Sequence, residues 1–396
     1  MKKRLLVLSI LLCVSPLCLF AVNFGFVTEQ GGDYSSAEDL NYAGTYLPWV
    51  SWTHPGKRLE IYVSGRFSIE YKERRESQWL FIPEAGRLEA VWRPINNLTV
   101  EIGRQGYHDG AGLVAQGLFD GLSLSYRFGK HRLGAGAYYT GLLFSRAAGI
   151  TMTPPDLAEY NDTDHYFAPK RVLGSLQYEI AGFLSGRASL HAGALAQFDL
   201  RDGDALHSQY GILKFNLAPV PRLNLELAGV AGLSGLPDET LFGAAASGGF
   251  VWTTPSKYGD RLGFFIRWGS GSEGGLDAFS PITSQGHGRV FSPDLGGAAS
   301  ARLSYELRIT RTFFFNMEAA YFIRTDTETF KDKEMELDPD SASLHLGPEF
   351  FASVRFMPLS DLSFNAGAGV FLPCSWGPWD NRDPRWKVQA ALVLSL

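Results

Sequence analysis

The chain of 396 residues has few cysteines and few charged residues, and no long apolar run beyond its N-terminus. Of its three cysteines, only Cys374 lies outside the first 21 residues, so the sequence predicts neither an internal disulfide nor a cysteine-based metal site. Charged residues make up only 19% of the chain while aromatic residues reach 13%, which argues against intrinsic disorder. The lack of apolar runs of about 20 residues argues against a membrane protein built of helices.

The N-terminus has the pattern of an export signal. Lys2, Lys3 and Arg4 precede an apolar stretch over residues 5–20, which is followed by the small residue Ala21. A basic start, a short apolar stretch and a small residue are typical of a cleaved secretory signal. We therefore predict a signal peptide at residues 1–21 and one domain over residues 22–396. An uncleaved anchor and lipoprotein processing at Cys18 are the alternatives.

Strand-like alternation of apolar and polar side chains runs through most of the chain. In residues 58–71, Leu59, Ile61 and Val63 share one parity, whereas Arg58 and Glu60 occupy the other. Because successive side chains of a strand point to opposite faces, this pattern predicts a strand with lipid on one face and water on the other. Such runs begin at about eighteen places, and sixteen is the alternative count. A helix would place Arg and Leu on the same face.

The segments between these runs alternate between short and long. Residues 129–130, 219–221 and 311–312 are short connections, whereas 145–170 and 271–296 are the longest. This alternation is typical of barrels with short periplasmic turns and long extracellular loops. The sequence therefore predicts an all-β, transmembrane, antiparallel up-and-down β-barrel in a bacterial outer membrane. Residues 31–44 are expected to form the first long loop. We expect loops 145–170 and 271–296, and next 106–118, to fold inward and narrow or plug the lumen.

The parity opposite to the apolar one carries more Arg and Lys than Asp and Glu. Many of these side chains are expected to pair across neighbouring strands and stiffen the wall. The basic excess would nevertheless favour anions in a water-filled channel. The residues predicted to line the pore are Arg66, Arg87, Glu89, Glu101, Arg127, Arg132, Arg187, Arg267, Arg302, Glu306, Arg308, Glu318, Arg324 and Arg355.

Motifs for catalysis or cofactor binding are missing from the sequence. The eight His residues are scattered, and we find neither a nucleophile elbow nor a phosphate-binding loop. No enzyme activity, no cofactor and no nucleic-acid partner are therefore expected. The acidic residues Asp156, Asp162 and Asp164 could supply oxygen ligands to Ca²⁺, although a solvated polar loop is the interpretation we favour.

One stretch goes beyond periodicity. Gly103-Arg104-Gln105 precedes His108-Asp109-Gly110, and Phe119-Asp120-Gly121-Leu122 follows. This stretch resembles the signature of the alginate-export-like outer-membrane porins. The resemblance implies a barrel of about eighteen strands with an Arg-rich lumen. It also implies that four residues shape the pore-facing loop and the strand junction, namely Arg104, Gln105, Asp120 and Gly121.

Together these features predict a porin that passively conducts small anionic or polyhydroxylated solutes and has outer-membrane lipid around it. We expect a monomer. A trimer, joined through lipid-facing Ala and Gly residues of the strands near Ala194 and Ala231, is the alternative. Two other functions stay open: a barrel similar to the fatty-acid transporters, with an apolar pocket and a lateral gap in the wall, and a plugged barrel that acts as a surface adhesin without conductance.

Overall fold

The computed structural model describes residues 21–36, 39–73, 78–146, 148–161, 165–201, 205–236, 239–272, 275–284, 286–330, 336–338 and 340–396. The predicted signal peptide lies outside these residues except for Ala21, so its cleavage and the single-domain boundary stay predictions. Within the described ranges, no helix has both the length and the apolar character needed to cross a membrane.

Eighteen antiparallel strands form one closed sheet. Each strand pairs with its neighbours in the chain, and β1 also pairs with β18, which closes the barrel. The strands are β1 Ala21–Ser35, β2 Asp39–Thr53, β3 Leu59–Lys72, β4 Gln78–Ile95, β5 Leu98–His108, β6 Gln116–Phe128, β7 His131–Tyr139, β8 Arg171–Gly182, β9 Ala188–Asp199, β10 His207–Val220, β11 Leu223–Leu236, β12 Glu239–Thr253, β13 Arg261–Gly269, β14 Ala298–Arg308, β15 Phe313–Arg324, β16 His345–Leu359, β17 Leu362–Phe371 and β18 Arg385–Ser395. The prediction of an eighteen-stranded up-and-down barrel is confirmed.

The two faces of the wall follow the predicted parity. Ile266 on β13 and Leu303 on β14 lie on the outside, where they are 47% and 48% exposed. Their chain neighbours Arg267 and Arg302 line an internal cavity together with the loop residue His287. Since an apolar side chain gains nothing from contact with water, an outer surface of this kind suits a hydrocarbon environment.

The connections differ in length between the two ends of the barrel. At one end they are short, as at residues 96–97, 129–130, 221–222 and 360–361. At the other end, residues 140–170, 270–297, 325–344 and 372–384 form long loops, and the first of these contains the helix α1, Pro154–Asn161. The first long loop predicted, at 31–44, is wrong: Gly31 pairs with Ala43 and Gly32 with Tyr42 within the β1–β2 hairpin. Gly31 and Gly32 form backbone hydrogen-bond ladders with both β2 and β18, so their lack of side chains does not end the strand.

The end of the β5–β6 hairpin packs against lumen-facing side chains. Gly103 has a φ of 112°, which a residue with a Cβ rarely adopts. It lies one residue before the point where β5 separates from β4. Beyond it, the hairpin tip at residues 109–115 is organised by Asp109, whose buried carboxylate accepts four backbone N–H groups at 2.8–2.9 Å. We refer to residues 105–119 as the inner hairpin.

A continuous apolar core joins the inner hairpin to one side of the barrel. Val114 and Phe119 are fully buried in it. The wall contributes lumen-facing side chains of β7 to β12, namely Tyr138, Leu173, Leu195, Tyr210, Ile212, Ala228, Val230 and Ala245. This part of the lumen is therefore filled by packed protein.

Parts of both longest loops contact the inner hairpin. The Ile282 and Thr283 N–H groups donate to the Val114 carbonyl at 2.8 and 3.1 Å, and Thr151 donates to Ile282 at 2.9 Å. A second apolar cluster, around Phe291, Phe322 and Trp379, joins loop 270–297 to the other long loops. The long loops thus narrow the channel from inside.

The wall is incomplete between β4 and β5. Their ladder stops at Leu88 and Arg104, although β4 continues to Gln78 in pairing with β3. An unpaired strand edge exposes backbone donors and acceptors, which is unfavourable in hydrocarbon. Pro83 lies on this edge, where its missing N–H removes one unsatisfied donor.

Residues 140–145 and 166–169, which we call the wall flap, cover this edge. The flap is a short two-stranded ribbon with a β-bridge between Phe144 and Phe167. The Tyr166 hydroxyl donates to the Pro83 carbonyl of β4 at 2.7 Å. The flap therefore takes the place that a paired strand would occupy in the wall.

Candidate functional site

Arginine side chains converge where β13 and β14 face the inward loops. Arg267 of β13 and Arg302 of β14 line a cavity of about 290 Å³. His287 of loop 270–297 and Ala111 of the inner hairpin line the same cavity. We call Arg267, His287, Arg289 and Arg302 the inner basic cluster. Because side chains of the wall and of two inward loops meet here, this is a narrow part of the lumen.

One carboxylate is shared by two members of the cluster. Glu318 of β15 accepts hydrogen bonds from Arg289 at 2.8 and 3.3 Å. Its second oxygen lies 3.5 Å from a guanidinium nitrogen of Arg302. Hydrogen bonding to Glu318 raises the pKa of Arg289 above its usual value. Two positive charges thus face one negative charge.

Loop backbone is held in this position by a second carboxylate. The buried Glu349 side chain of β16 accepts the backbone N–H groups of Arg289, Val290 and Phe291 at 2.7–2.8 Å. A carboxylate that receives three backbone donors is well satisfied, so Glu349 holds the loop in place, and its negative charge also acts on Arg289.

Arg267 lacks a paired carboxylate among the residues that the structure describes. Glu226, which lines the same cavity, pairs with Lys214 at 3.0 Å. The positive potential is also reflected in His287, whose pKa is lowered to about 3 by burial and then by Arg267 and Arg302. The cluster therefore carries uncompensated positive charge inside the lumen.

Arginines also surround the mouth at the short-turn end. Arg132 donates to Ser125 at 2.7 Å, and Arg187 and Arg308 donate to backbone carbonyls at 3.2 and 3.3 Å. Their guanidinium groups remain accessible to water. The exposed side chains of this mouth are Arg127, Arg132, Arg187, Arg308 and Arg355.

The other residues predicted to line the pore are mostly paired along the wall. Arg87 binds Glu89 at 2.5 Å and stacks over the Tyr62 ring. Arg66 and Glu84 approach to 3.9 Å, and Glu306 lies 3.7 Å from Arg261. Glu101 is 3.4 Å from the Ser123 hydroxyl. The Arg66–Glu84 and Arg261–Glu306 pairs join neighbouring strands, as expected from the sequence, whereas Arg87 and Glu89 lie on the same strand.

Arg324 differs from the expectation of a water-lining residue. It is only 2% exposed, and its guanidinium donates to the carbonyls of Ser343 at 2.7 Å and Thr327 at 3.1 Å. A guanidinium offers five donors, so it can gather several loop carbonyls at once. Arg324 thus binds the ends of loop 325–344 instead of facing the channel water.

The four motif residues lie at the junction beside the wall gap. Arg104 forms a two-pronged pair with Asp120 at 2.9 and 3.0 Å and also donates to the carbonyls of Ala85 and Leu142. Gln105 accepts from Ser123 at 2.9 Å. Gly121 packs so closely against the β7 backbone that a Cβ would collide with Ala137. Arg104 thereby joins β4, β6 and the wall flap.

The acidic residues considered for Ca²⁺ do not form a site within the described residues. Asp156 is fully buried and binds Arg171 at 2.5 Å and Arg201 at 2.8 Å. Two guanidinium groups compete with any cation for its oxygens. Asp162 and Asp164 lie outside the described residues. In the described part of the chain, no three His, Cys, Asp or Glu side chains are grouped for a metal ion.

Sequence reasoning missed the loop members of the cluster, His287 and Arg289. They lie in the glycine-rich stretch Gly286-His287-Gly288-Arg289 of a loop already expected to fold inward. Gly288 packs against the Phe291 backbone and Glu349, where a Cβ would not fit. Basic residues that alternate with glycines in a loop expected to fold inward could have indicated that this loop contributes charge to the lumen.

Comparisons with known proteins bear on the fold. No protein-family model matches the chain, and no curated protein matches it. Among solved structures, Pseudomonas aeruginosa OccK2 (OpdF) is similar with a TM-score of 0.64 and 13% identity, covering 95% of this chain and 98% of that chain. OccK2 in complex with glucuronate has a TM-score of 0.62 at 12% identity, with the same coverage.

A third similar structure is Pseudomonas aeruginosa OpdK with vanillate, which has a TM-score of 0.62 at 10% identity and covers 95% of this chain and 98% of that chain. At such identities the similarity establishes the fold alone. The structures named here are OccK and Opd proteins, so the narrower resemblance to the alginate-export-like family finds no support in them. The chain shares the fold of the OccK and Opd barrels over nearly its whole length.

Proposed function

We propose that the protein is an outer-membrane porin that passively conducts small anionic or polyhydroxylated solutes. The observation that carries the proposal is the uncompensated Arg267 within the inner basic cluster, since Glu226 is paired with Lys214 and Glu318 is shared by two arginines. A fixed positive charge in a narrow aqueous passage attracts anions and repels cations. A guanidinium also binds carboxylates through charge-assisted hydrogen bonds.

Two further features support the proposal. The exposed arginines at the short-turn mouth add further positive charges to the wall. OccK2 and OpdK, which share the fold, have been solved with glucuronate and vanillate, and both of these ligands are carboxylates. Conduction of this kind needs neither a cofactor nor a catalytic group.

The location and assembly belong to the same proposal. The apolar outer face suits a bacterial outer membrane, with lipid in contact with residues such as Ile266 and Leu303. We propose a monomer. A trimer is the alternative, because an apolar groove on the outer face is lined by small residues that include Ala194, Ala196 and Gly211. The wall gap between β4 and β5 is the feature that the transporter-like alternative requires.

Reversal-potential measurements in planar bilayers test the proposal. Wild type should prefer chloride to potassium, and Arg267→Gln should lower that preference about fivefold, since removing one charge near the ion path costs about 1 kcal/mol at a few ångströms in water. Lys257→Gln, in the exposed short turn at 254–260, is the control and should behave as wild type. Cation preference in wild type would contradict the proposal, and a complete lack of conductance would favour the adhesin function.

A further inference from the structure

A separate cavity lies behind the wall flap. It has a volume of about 230 Å³ and is bounded by the inward faces of β3 and β4 and by Phe144 of the flap. Arg66, Lys72 and Arg146 contribute positive charge to its lining, and Glu70 and Glu84 contribute negative charge. This cavity shares none of its lining residues with the inner basic cluster.

Some inward positions that line this cavity are apolar, although the inward positions of a porin wall are expected to be polar. Leu80 and Ile82 of β4 are apolar although they face inward, opposite Glu70 and Ser68 of β3. Phe144 and Tyr160 add aromatic surface from the loop. Aliphatic and aromatic side chains do not favour the passage of water or ions, but they can bind the hydrocarbon part of a ligand.

A hydrogen-bond donor in the same cavity remains unused. The Nε atom of Arg66 is buried and has no hydrogen-bond partner among the described residues. Glu84 approaches a terminal nitrogen of Arg66 only at 3.9 Å, which is too long for a hydrogen bond. The Arg66 side chain as a whole is 40% exposed, so a ligand carboxylate can reach its guanidinium and supply the missing acceptor.

We propose that this cavity binds an amphiphilic carboxylate with a short aliphatic or aromatic body. The carboxylate binds Arg66, and the apolar body packs on Leu80, Ile82 and Phe144. The wall flap covers the edge of β4 beside this cavity, where residues 78–87 have no ladder partner on the β5 side. The site therefore lies between the lumen and the bilayer.

Calorimetric titration of the full chain in detergent with sodium hexanoate, and with sodium acetate for comparison, tests the proposal. Hexanoate should bind about tenfold more tightly than acetate, since part of its four additional CH₂ groups is removed from water. The double variant Leu80→Ser, Ile82→Ser should abolish this difference. Phe314→Ser, which removes a lumen-facing apolar side chain of β15 near the short-turn end, is the matched control and should keep it.

Equal affinities for hexanoate and acetate in wild type, or an unchanged difference in the double variant, would overturn the proposal. If the double variant does not fold, Phe144→Ala gives the same test from the flap side, because it leaves the strand residues intact. The titration involves no ion current, so its result is independent of whether the channel prefers anions.

Discussion

At the scale of single residues, the lumen contains buried charges that bind protein and accessible charges that face the channel. Arg171 and Arg324 are fully or almost fully buried and bind loop segments. Arg267 and Arg302 share a cavity with loop residues instead. Removing one partner of a buried pair leaves an uncompensated charge, so Arg171 and Arg324 contribute to stability. Arg267 and Arg302 line a cavity of the lumen, so we expect them to contribute to selectivity.

His287 makes stability depend on pH. Its pKa falls from 6.5 in the unfolded chain to about 3 in the folded protein, because of burial and then of Arg267 and Arg302. Below pH 6.5 the unfolded chain binds a proton that the folded protein does not, so stability is lost as the pH falls from 6.5 towards 3. Between pH 7 and pH 4.5 the loss due to His287 should be about 2–3 kcal/mol.

Urea unfolding in detergent measures this loss. His287→Leu keeps a side chain of similar size but cannot be protonated, so its free energy of unfolding should fall less than that of wild type between pH 7 and pH 4.5. Other titrating groups affect both proteins equally, and the difference isolates His287. Equal losses in the two proteins would show that His287 is not held in its neutral form by the fold.

At the scale of elements, the β4–β5 junction explains why a loop belongs to the wall. The inner hairpin leaves the wall beyond Gly103, and the Arg104–Asp120 pair remains at the point of separation. The wall flap then covers the free edge of β4 through Tyr166. The inward bend of the inner hairpin thus fills part of the lumen and leaves the edge of β4 unpaired. The wall flap covers that edge.

The flap should face lipid. Phe167 is 52% exposed on it, and in a membrane that surface should contact acyl chains. A Phe167→Trp variant in nanodiscs should therefore lose its added tryptophan fluorescence when the lipid is brominated. Tyr258→Trp, in an exposed short turn that we place in water, is the control and should be quenched little. Equal quenching of the two would place the flap away from the hydrocarbon.

At the scale of the whole molecule, period-two alternation and the alternation of short and long connections together predicted the closed barrel and its strands, except for residues 31–44 of the β1–β2 hairpin. Even weakly patterned runs became strands, because the closed sheet supplies hydrogen bonds from neighbours along nearly every strand, the exception being residues 78–87 of β4 on the β5 side. The interior was predicted less well, since inward parity alone does not distinguish water from a packed loop. The packed interior could have been predicted from apolar residues at inward positions, because such residues need a protein partner. They include Tyr210, Ile212 and Val230.

The position of the inward loops could not be derived from local sequence. Contacts such as Ile282 to Val114 join segments far apart in the chain, and no local periodicity encodes them. Arg267 and Arg302 were predicted to face inward, but their convergence with His287 depends on the course of a long loop. Alternation thus predicts which face a residue occupies, and tertiary packing decides what it meets there.

The inner hairpin should limit conductance without being needed for the barrel. Replacing residues 109–115 by an Asn-Gly turn removes Leu113 and Val114 from the core and should lower stability by about 3–6 kcal/mol. The β-ladders do not involve these residues, so the barrel should still form. Single-channel conductance should rise because the passage widens, while replacing Ser256 and Lys257 by glycines in a short turn should leave it unchanged. If conductance stayed at the wild-type value, the narrowest part of the path would have to lie at another loop, such as 270–297.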